Sequence, residues 1–103
     1  MIVTVALADV PAGKPLAVRV GDQLTLAVCM VDGTYHVLDS RCPHRGAQLA
    51  EGVLDGSLIV CPLHHFKFNL QTGRCVMPKH LKLRRYAVAR EGDTLRIDAA
   101  API

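Results

Sequence analysis

The sequence predicts an all-β fold of short antiparallel strands, and three observations predict it. Apolar residues recur with a period of two rather than 3.6, strong two-residue turn signals separate the runs, and no window shows helical periodicity. Helix is expected nowhere except a single turn between Ala47 and Glu51.

The first 39 residues read as strands. Val3, Val5 and Leu7 alternate with smaller residues, and Pro11 and Gly13 mark a turn. Leu16 to Val20 is a short strand, followed by the hairpin signal Gly21-Asp22 and the apolar run Leu24 to Met30. Asp32-Gly33 is a two-residue turn into Thr34 to Leu38, which predicts an antiparallel pair of 23–31 with 34–39. The stretch 40–79 differs in composition, with three of the six prolines and four of the eight glycines. Within it, Val53-Leu54 and Leu58 to Val60 read as short strands around Asp55-Gly56. Phe66 and Phe68 alternate with Lys67 and Asn69, and Thr72-Gly73 closes a turn. Beyond it, Leu83 to Ala89 and Thr94 to Asp98 read as two strands joined at Glu91-Gly92-Asp93, with a loose tail from Ala99 to Ile103.

A chain of 103 residues, half of them apolar, is one globular domain, 1–103. With no tryptophan and few aromatics, its core must be built from Val, Leu, Ile and Ala. Residues 1–12 carry no basic segment and only a short apolar run, so they do not read as a signal peptide, and no apolar stretch approaches membrane-spanning length. The expectation is a cytoplasmic protein without membrane attachment, whose four cysteines are ligands or buried thiols rather than disulfides.

Chemistry concentrates in two short loops. Cys42-Pro43-His44 is followed, after sixteen residues, by Cys61-Pro62-Leu63-His64. Each offers one thiolate and one imidazole. Such a set suits a two-iron, two-sulfide cluster in which two cysteines hold one iron and two histidines the other. Pro43 and Pro62 each follow a cysteine and fix one backbone torsion, and Gly46 permits a tight bend. Structural zinc is the competing use of two cysteines and two histidines. Zinc fingers, however, space like ligands in pairs, whereas here each loop mixes types.

The pattern C-x-H-x16-C-x-x-H, with Cys-Pro in both loops, resembles the Rieske [2Fe-2S] family, and the likeness runs over about 1–98. Arg45-Gly46 after the first histidine, Leu49 to Gly52 before the second loop, and Phe68 to Gly73 with Cys75 after it carry the resemblance further. It implies stacked antiparallel sheets, three in number, with the cluster held by two loops at one end. The base would be 1–39 and 80–98, and the cluster-binding part about 40–79. It also implies one [2Fe-2S] cluster per chain, held by Cys42, His44, Cys61 and His64, and no catalytic residue. His65 is the alternative to His64, disfavoured by the C-x-x-H spacing.

Departures from the respiratory members of the family are informative. Their extra loop cysteines correspond to Ala47 and Leu63, so no loop disulfide can form. Their hydroxyl donors correspond to Phe66 and Phe68, which implies a potential at the low end of the Rieske range, near about −150 mV. The potential is expected to fall at alkaline pH as ligating imidazole loses its second proton.

The resemblance therefore implies a ferredoxin, an electron-transfer component rather than an enzyme. It would carry single electrons from an NAD(P)H-dependent flavoprotein reductase to a terminal oxygenase such as an aromatic-ring hydroxylating dioxygenase, binding both transiently as a monomer. The exposed edges of His44 and His64 would be the exit route. Phe68 to Cys75 and Leu83 to Val88 are equally similar to small subunits of assimilatory NAD(P)H nitrite reductases, which is the alternative. A non-redox module that uses metal only to fold is the third reading. His36 and His80 read as ordinary surface or strand residues, and Cys29 and Cys75 as buried small hydrophobes.

The net charge of +3 is unevenly spread. Six of the twelve basic residues, Arg74, Lys79, Lys82, Arg84, Arg85 and Arg90, fall in one acid-free stretch. Two readings stand for it: the solvated face of a strand with Leu81, Leu83 and Tyr86 turned inward, or a docking surface for an acidic partner. No aromatic interleaving or reading motif supports nucleic-acid binding.

Overall fold

The structure, a computed structural model, describes residues 1–43, 46–63 and 65–103. It is an antiparallel all-β protein with nine strands among the described residues. Six form one sheet: β1 (Ile2–Ala6), β2 (Leu16–Val20), β3 (Leu24–Val31), β4 (Thr34–Asp39), β8 (Arg85–Glu91) and β9 (Thr94–Pro102), in the order β1-β9-β8-β4-β3-β2. The other three, β5 (Val53–Asp55), β6 (Leu58–Val60) and β7 (Lys67–Asn69), form a small meander. Single 3-10 turns occupy Leu7–Asp9 and Leu49–Glu51.

The β3–β4 hairpin forms where the sequence places it. Asp32 and Gly33 have φ of 52° and 78°, so both central residues are left-handed. That geometry matches the twist of the flanking strands, and Val31 pairs with Thr34. The apolar run of β3 is explained by two cores. Leu26 and Val28 face one core, together with Val5, Val20, Val37, Tyr86, Leu95 and Ile97. Ala27 and Cys29 face the other, together with Leu38, Ile59, Phe68, Leu70 and Leu83. A strand buried on both sides reads as a continuous hydrophobic segment.

Three expectations are corrected. Among the described residues the base pairs as a single six-stranded sheet, so two sheets stand where the resemblance implies three stacked ones. All six strands nevertheless send side chains into one core, which requires the sheet to fold over on itself. The tail is not loose. The β9 strand runs to Pro102, with the Ala99 N–H donating to the Met1 carbonyl and the Ile103 N–H to that of Arg85. The last long hairpin begins at Arg85, not Leu83. Leu83 is buried, but its N–H bonds the Gly73 carbonyl, so it anchors a loop.

Ser40 joins the two regions. It is fully buried, its Oγ accepts from the Ala50 N–H at 3.1 Å, and its carbonyl accepts from the Leu49 N–H at 2.6 Å. Gly52 lies so close to the Val60 carbonyl that any Cβ there would overlap it.

Candidate metal centre

Two loops project from the small sheet and its approach, and they share one backbone plan. In the first, Arg41 bridges Gln48 and the Cys42 N–H donates to the Ala47 carbonyl at 2.7 Å. In the second, Val60 pairs with Lys67 and the Cys61 N–H donates to the Phe66 carbonyl at 2.7 Å. Each cysteine thus bonds the carbonyl five residues on and is followed by a proline. Four residues on, each chain turns left-handed, at Gly46 (φ 73°) and at His65 (φ 56°). Glycine adopts that conformation freely, whereas a residue with a Cβ is rarely found in it. The sequence signal for this equivalence is the repeated Cys-Pro; the matching bend at His65 carries no signal of its own.

The two cysteines are brought together. Both are buried and no disulfide links them. The Cys42 side chain lies near enough to the Cys61 thiol to act on its proton. Burial pushes the Cys61 thiol up, and the adjacent Cys42 pushes it further, while the backbone N–H of Leu63 aims at its sulfur and opposes the shift. Two soft donors facing each other in an apolar wall, with a peptide N–H directed at one sulfur, fit the cysteine end of a [2Fe-2S] cluster. The cation would offset the cost of burying two thiolates. His44 and His64 lie outside the described residues, as does Arg45.

The surroundings of the pair are apolar below and polar to one side. Leu49, Ala50, Ile59, Phe68 and Leu70 are buried beneath it, with Phe66 packed against them. On the flank of the first loop, a cleft of about 740 Å³ is lined by Arg19, Asp39, Arg41, Pro43, Gln48 and Arg84, among others. Asp39 sits at its root. It accepts from Arg84 Nε at 2.8 Å and from the Tyr86 hydroxyl at 2.5 Å, which ties the end of β4 to the start of β8. Burial first, and then this bond to a carboxylate, push the Tyr86 hydroxyl up to about 12. The buried Gln48 Oε1 finds no partner among the described residues.

The other singled-out residues are placed as follows. Cys29 and Cys75 are buried, as expected. His36 lies on β4 opposite Cys29, its pKa lowered by desolvation and by Arg85, and His80 is exposed. The basic stretch is not one strand face. Arg74, Lys79 and Lys82 sit on a loop beside β7, Arg84 is paired with Asp39, and Arg85 and Arg90 ride on β8. Leu83 and Tyr86 are buried as expected, and Leu81 partly so.

A two-loop metal centre of this kind, capping an antiparallel base, defines a class of small iron–sulfur domain. The family model for the Rieske [2Fe-2S] domain matches residues 1–87, and the chain belongs to that family. It is 37% identical over 95 residues to the ferredoxin component of the naphthalene 1,2-dioxygenase system of Pseudomonas aeruginosa, covering 91% of this chain and 90% of that one. Among solved structures, a Sphingomonas yanoikuyae B1 ferredoxin superposes with a TM-score of 0.83 at 36% identity, over 90% of this chain and 92% of that one. The complex of reduced oxygenase and oxidized ferredoxin in carbazole 1,9a-dioxygenase supplies a match with a TM-score of 0.85 at 30% identity, over 93% of this chain and 91% of that one. The chain accordingly carries a [2Fe-2S] cluster. No helix among the described residues is long and apolar enough to cross a membrane.

Proposed function

We propose that this protein is the ferredoxin component of an oxygenase system. It takes single electrons from a flavoprotein reductase and delivers them to a terminal oxygenase. The observation that carries this reading is the pair of equivalent loops that bring Cys42 and Cys61 face to face at one end of the base. Cys42 and Cys61 hold one iron and His44 and His64 the other, and the single domain spans 1–103. The dioxygenase relatives support the oxygenase as acceptor. When bound, the cluster supplies a one-electron couple.

The chain's own residues shape that couple. Leu49, Ile59, Phe68 and Leu70 exclude water from below. Pro43, Pro62 and the two cross-loop hydrogen bonds keep the backbone still, so little rearrangement accompanies a change of charge. Phe66 and Phe68 present no hydroxyl, and the potential should lie near about −150 mV.

The test is low-temperature EPR of dithionite-reduced protein with metal analysis of the same sample, followed by a potentiometric titration. About two irons per chain and a rhombic signal with average g below that of all-cysteine clusters are expected. Zinc with no signal would end the electron-transfer reading. A potential well above zero would contradict the low-potential reading drawn from Phe66 and Phe68. A tight complex with a large flavin- and sirohaem-bearing protein, in place of transient binding, would move the assignment to a nitrite reductase subunit.

A further inference from the structure

Exposed apolar side chains are not scattered over this molecule. Apart from the chain ends, the large exposed hydrophobics among the described residues are Val53 (57%), Leu63 (40%), Val76 (49%) and Met77 (74%). Three of the four lie beside the second cysteine loop. Val76 and Met77 line a shallow cleft of about 340 Å³ with His65, Phe66 and Lys67. The Val76 N–H donates to the Lys67 carbonyl at 2.8 Å, so this loop is fastened to β7. Leu63 and His65 flank His64.

The same surface is cationic. Between Gly56 and Arg90 the chain has no acidic residue. Arg74, Lys79 and Lys82 are exposed, and among the described residues none of them is ion-paired. Arg74 bridges Lys82 through the backbone and donates from its guanidinium to the Lys79 carbonyl at 3.2 Å, which gathers the three charges on one loop. Lys67, on the other side of the cleft, is paired among the described residues with Asp55 alone, at 3.4 Å, and both are exposed. Arg84, by contrast, is engaged by Asp39 at 2.8 Å.

We propose that Leu63, Val76 and Met77, rimmed by Lys67, Arg74, Lys79 and Lys82, form the docking surface for an electron-accepting protein whose own face has an apolar centre and an acidic rim. The proposal rests on the electron-carrier reading and names the chemistry of the acceptor's face. An apolar patch bordered by like charges is a protein-recognition surface rather than a chance exposure. The rim steers an acidic partner and raises the association rate in a salt-dependent way. The centre excludes water once docked. The surface adjoins the second cysteine loop, so a partner seated on it lies beside that loop.

The test uses anaerobic holoprotein reduced with dithionite and freed of excess reductant. Stopped-flow absorbance follows its oxidation by ferric cytochrome b5, an acidic haem protein, and by ferric cytochrome c, a basic one. The b5 rate constant should fall roughly tenfold between low and high salt, and Lys79→Glu/Lys82→Glu should lower it roughly tenfold at low salt and flatten the salt dependence. With cytochrome c the same variant should be as fast as wild type or faster. Met77→Ser should slow the b5 reaction several-fold at both salts. Arg90→Glu makes half that change of charge, at the far end of β8, and should alter the b5 rate less than twofold. EPR of each variant checks that the cluster is intact. Unchanged b5 rates in the double variant, or equal slowing by Arg90→Glu, would overturn the docking surface alone. A wild type with no Rieske signal would overturn the electron-carrier reading, and this proposal with it.

Discussion

The base and the cluster-binding part of this molecule are held together in different ways. The base, β1 to β4 with β8 and β9, has strands of five to nine residues and its own aliphatic core. The cluster-binding part has three strands of three residues each, and its remaining backbone bonds join loops to loops. It shares its core with the inner face of β3 and β4, and two of the side chains in that core are the loop cysteines Cys42 and Cys61. Long strands with alternating burial are stable by packing, whereas a two- or three-stranded meander of this length is marginal in water. The base is therefore a platform, and the cluster completes the fold of what sits on it.

The largest effect that would break this contrast is removal of a proposed ligand. In Cys61→Ser a hard hydroxyl replaces a soft thiolate, and the protein should lose its cluster and colour. Hydrogen exchange of the resulting apoprotein should then separate the regions. Amides of β3, β4, β8 and β9 should remain protected, while those between Cys42 and Leu83 exchange orders of magnitude faster. Equal loss of protection in both would show that metal binding organises the whole chain.

A smaller effect sharpens the contrast through two glycines. In Gly52→Ala the new methyl would overlap the Val60 carbonyl, a backbone atom that cannot rotate away. A cost of about 3 kcal/mol and poor cluster retention are expected, both read by chemical denaturation with visible absorbance. Gly33 has a left-handed φ of 78° but open space around it. Gly33→Ala should cost only about 1 kcal/mol and leave cluster content unchanged. The base yields at a turn, whereas the cluster-binding part has no slack.

The same difference governs what was legible in the sequence. In the base, Asp32-Gly33 and the apolar run of β3 report local geometry directly, and the pairing of 23–31 with 34–39 follows closely. Leu83 and Arg84 misled because their alternation with Leu81 resembles a strand, while the Leu83 N–H is claimed by Gly73, ten residues earlier. The tail misled because its alanines carry little strand propensity of their own. Its partners, Met1 and Arg85, are supplied by tertiary structure. At the centre, the repeated Cys-Pro singles out Cys42 and Cys61, and the two loops that carry them share one backbone plan. The left-handed bend at His65 was not legible, because nothing in a histidine marks it.

That bend makes a finer test of the loops. His65 stands where the first loop has Gly46. His65→Gly should therefore keep the cluster and leave stability unchanged or raised by up to about 1 kcal/mol, as read by retention of visible absorbance in denaturant. Loss of the cluster would instead make His65 a ligand and break the equivalence of the loops.

The smallest effect probes the seam between the regions. Cys29 lies on β3 with its thiol turned into the shared core, and burial pushes it from 9.0 up to about 12. A thiol whose folded pKa is raised contributes stability that is fully present below pH 9 and is lost as pH rises through 12, because the unfolded chain gives up that proton first. Tyr86 behaves in the same way but only from 10.0 upward, its hydroxyl being held up to about 12 by burial and by Asp39. From pH 9 to pH 10 Cys29 acts ahead of Tyr86, and comparison with Cys29→Ala removes the share of Cys61, which is raised in both proteins. Urea midpoints of the wild type, followed anaerobically by tyrosine fluorescence, should decline across that unit of pH. Cys29→Ala should start lower by about 1 kcal/mol for the lost volume and decline less steeply. The slope carries the information, since a cavity lowers stability equally at both pH values. Parallel slopes would mean that the thiolate is accommodated at the seam, and that the core shared by the two regions is less closed to water than its packing implies.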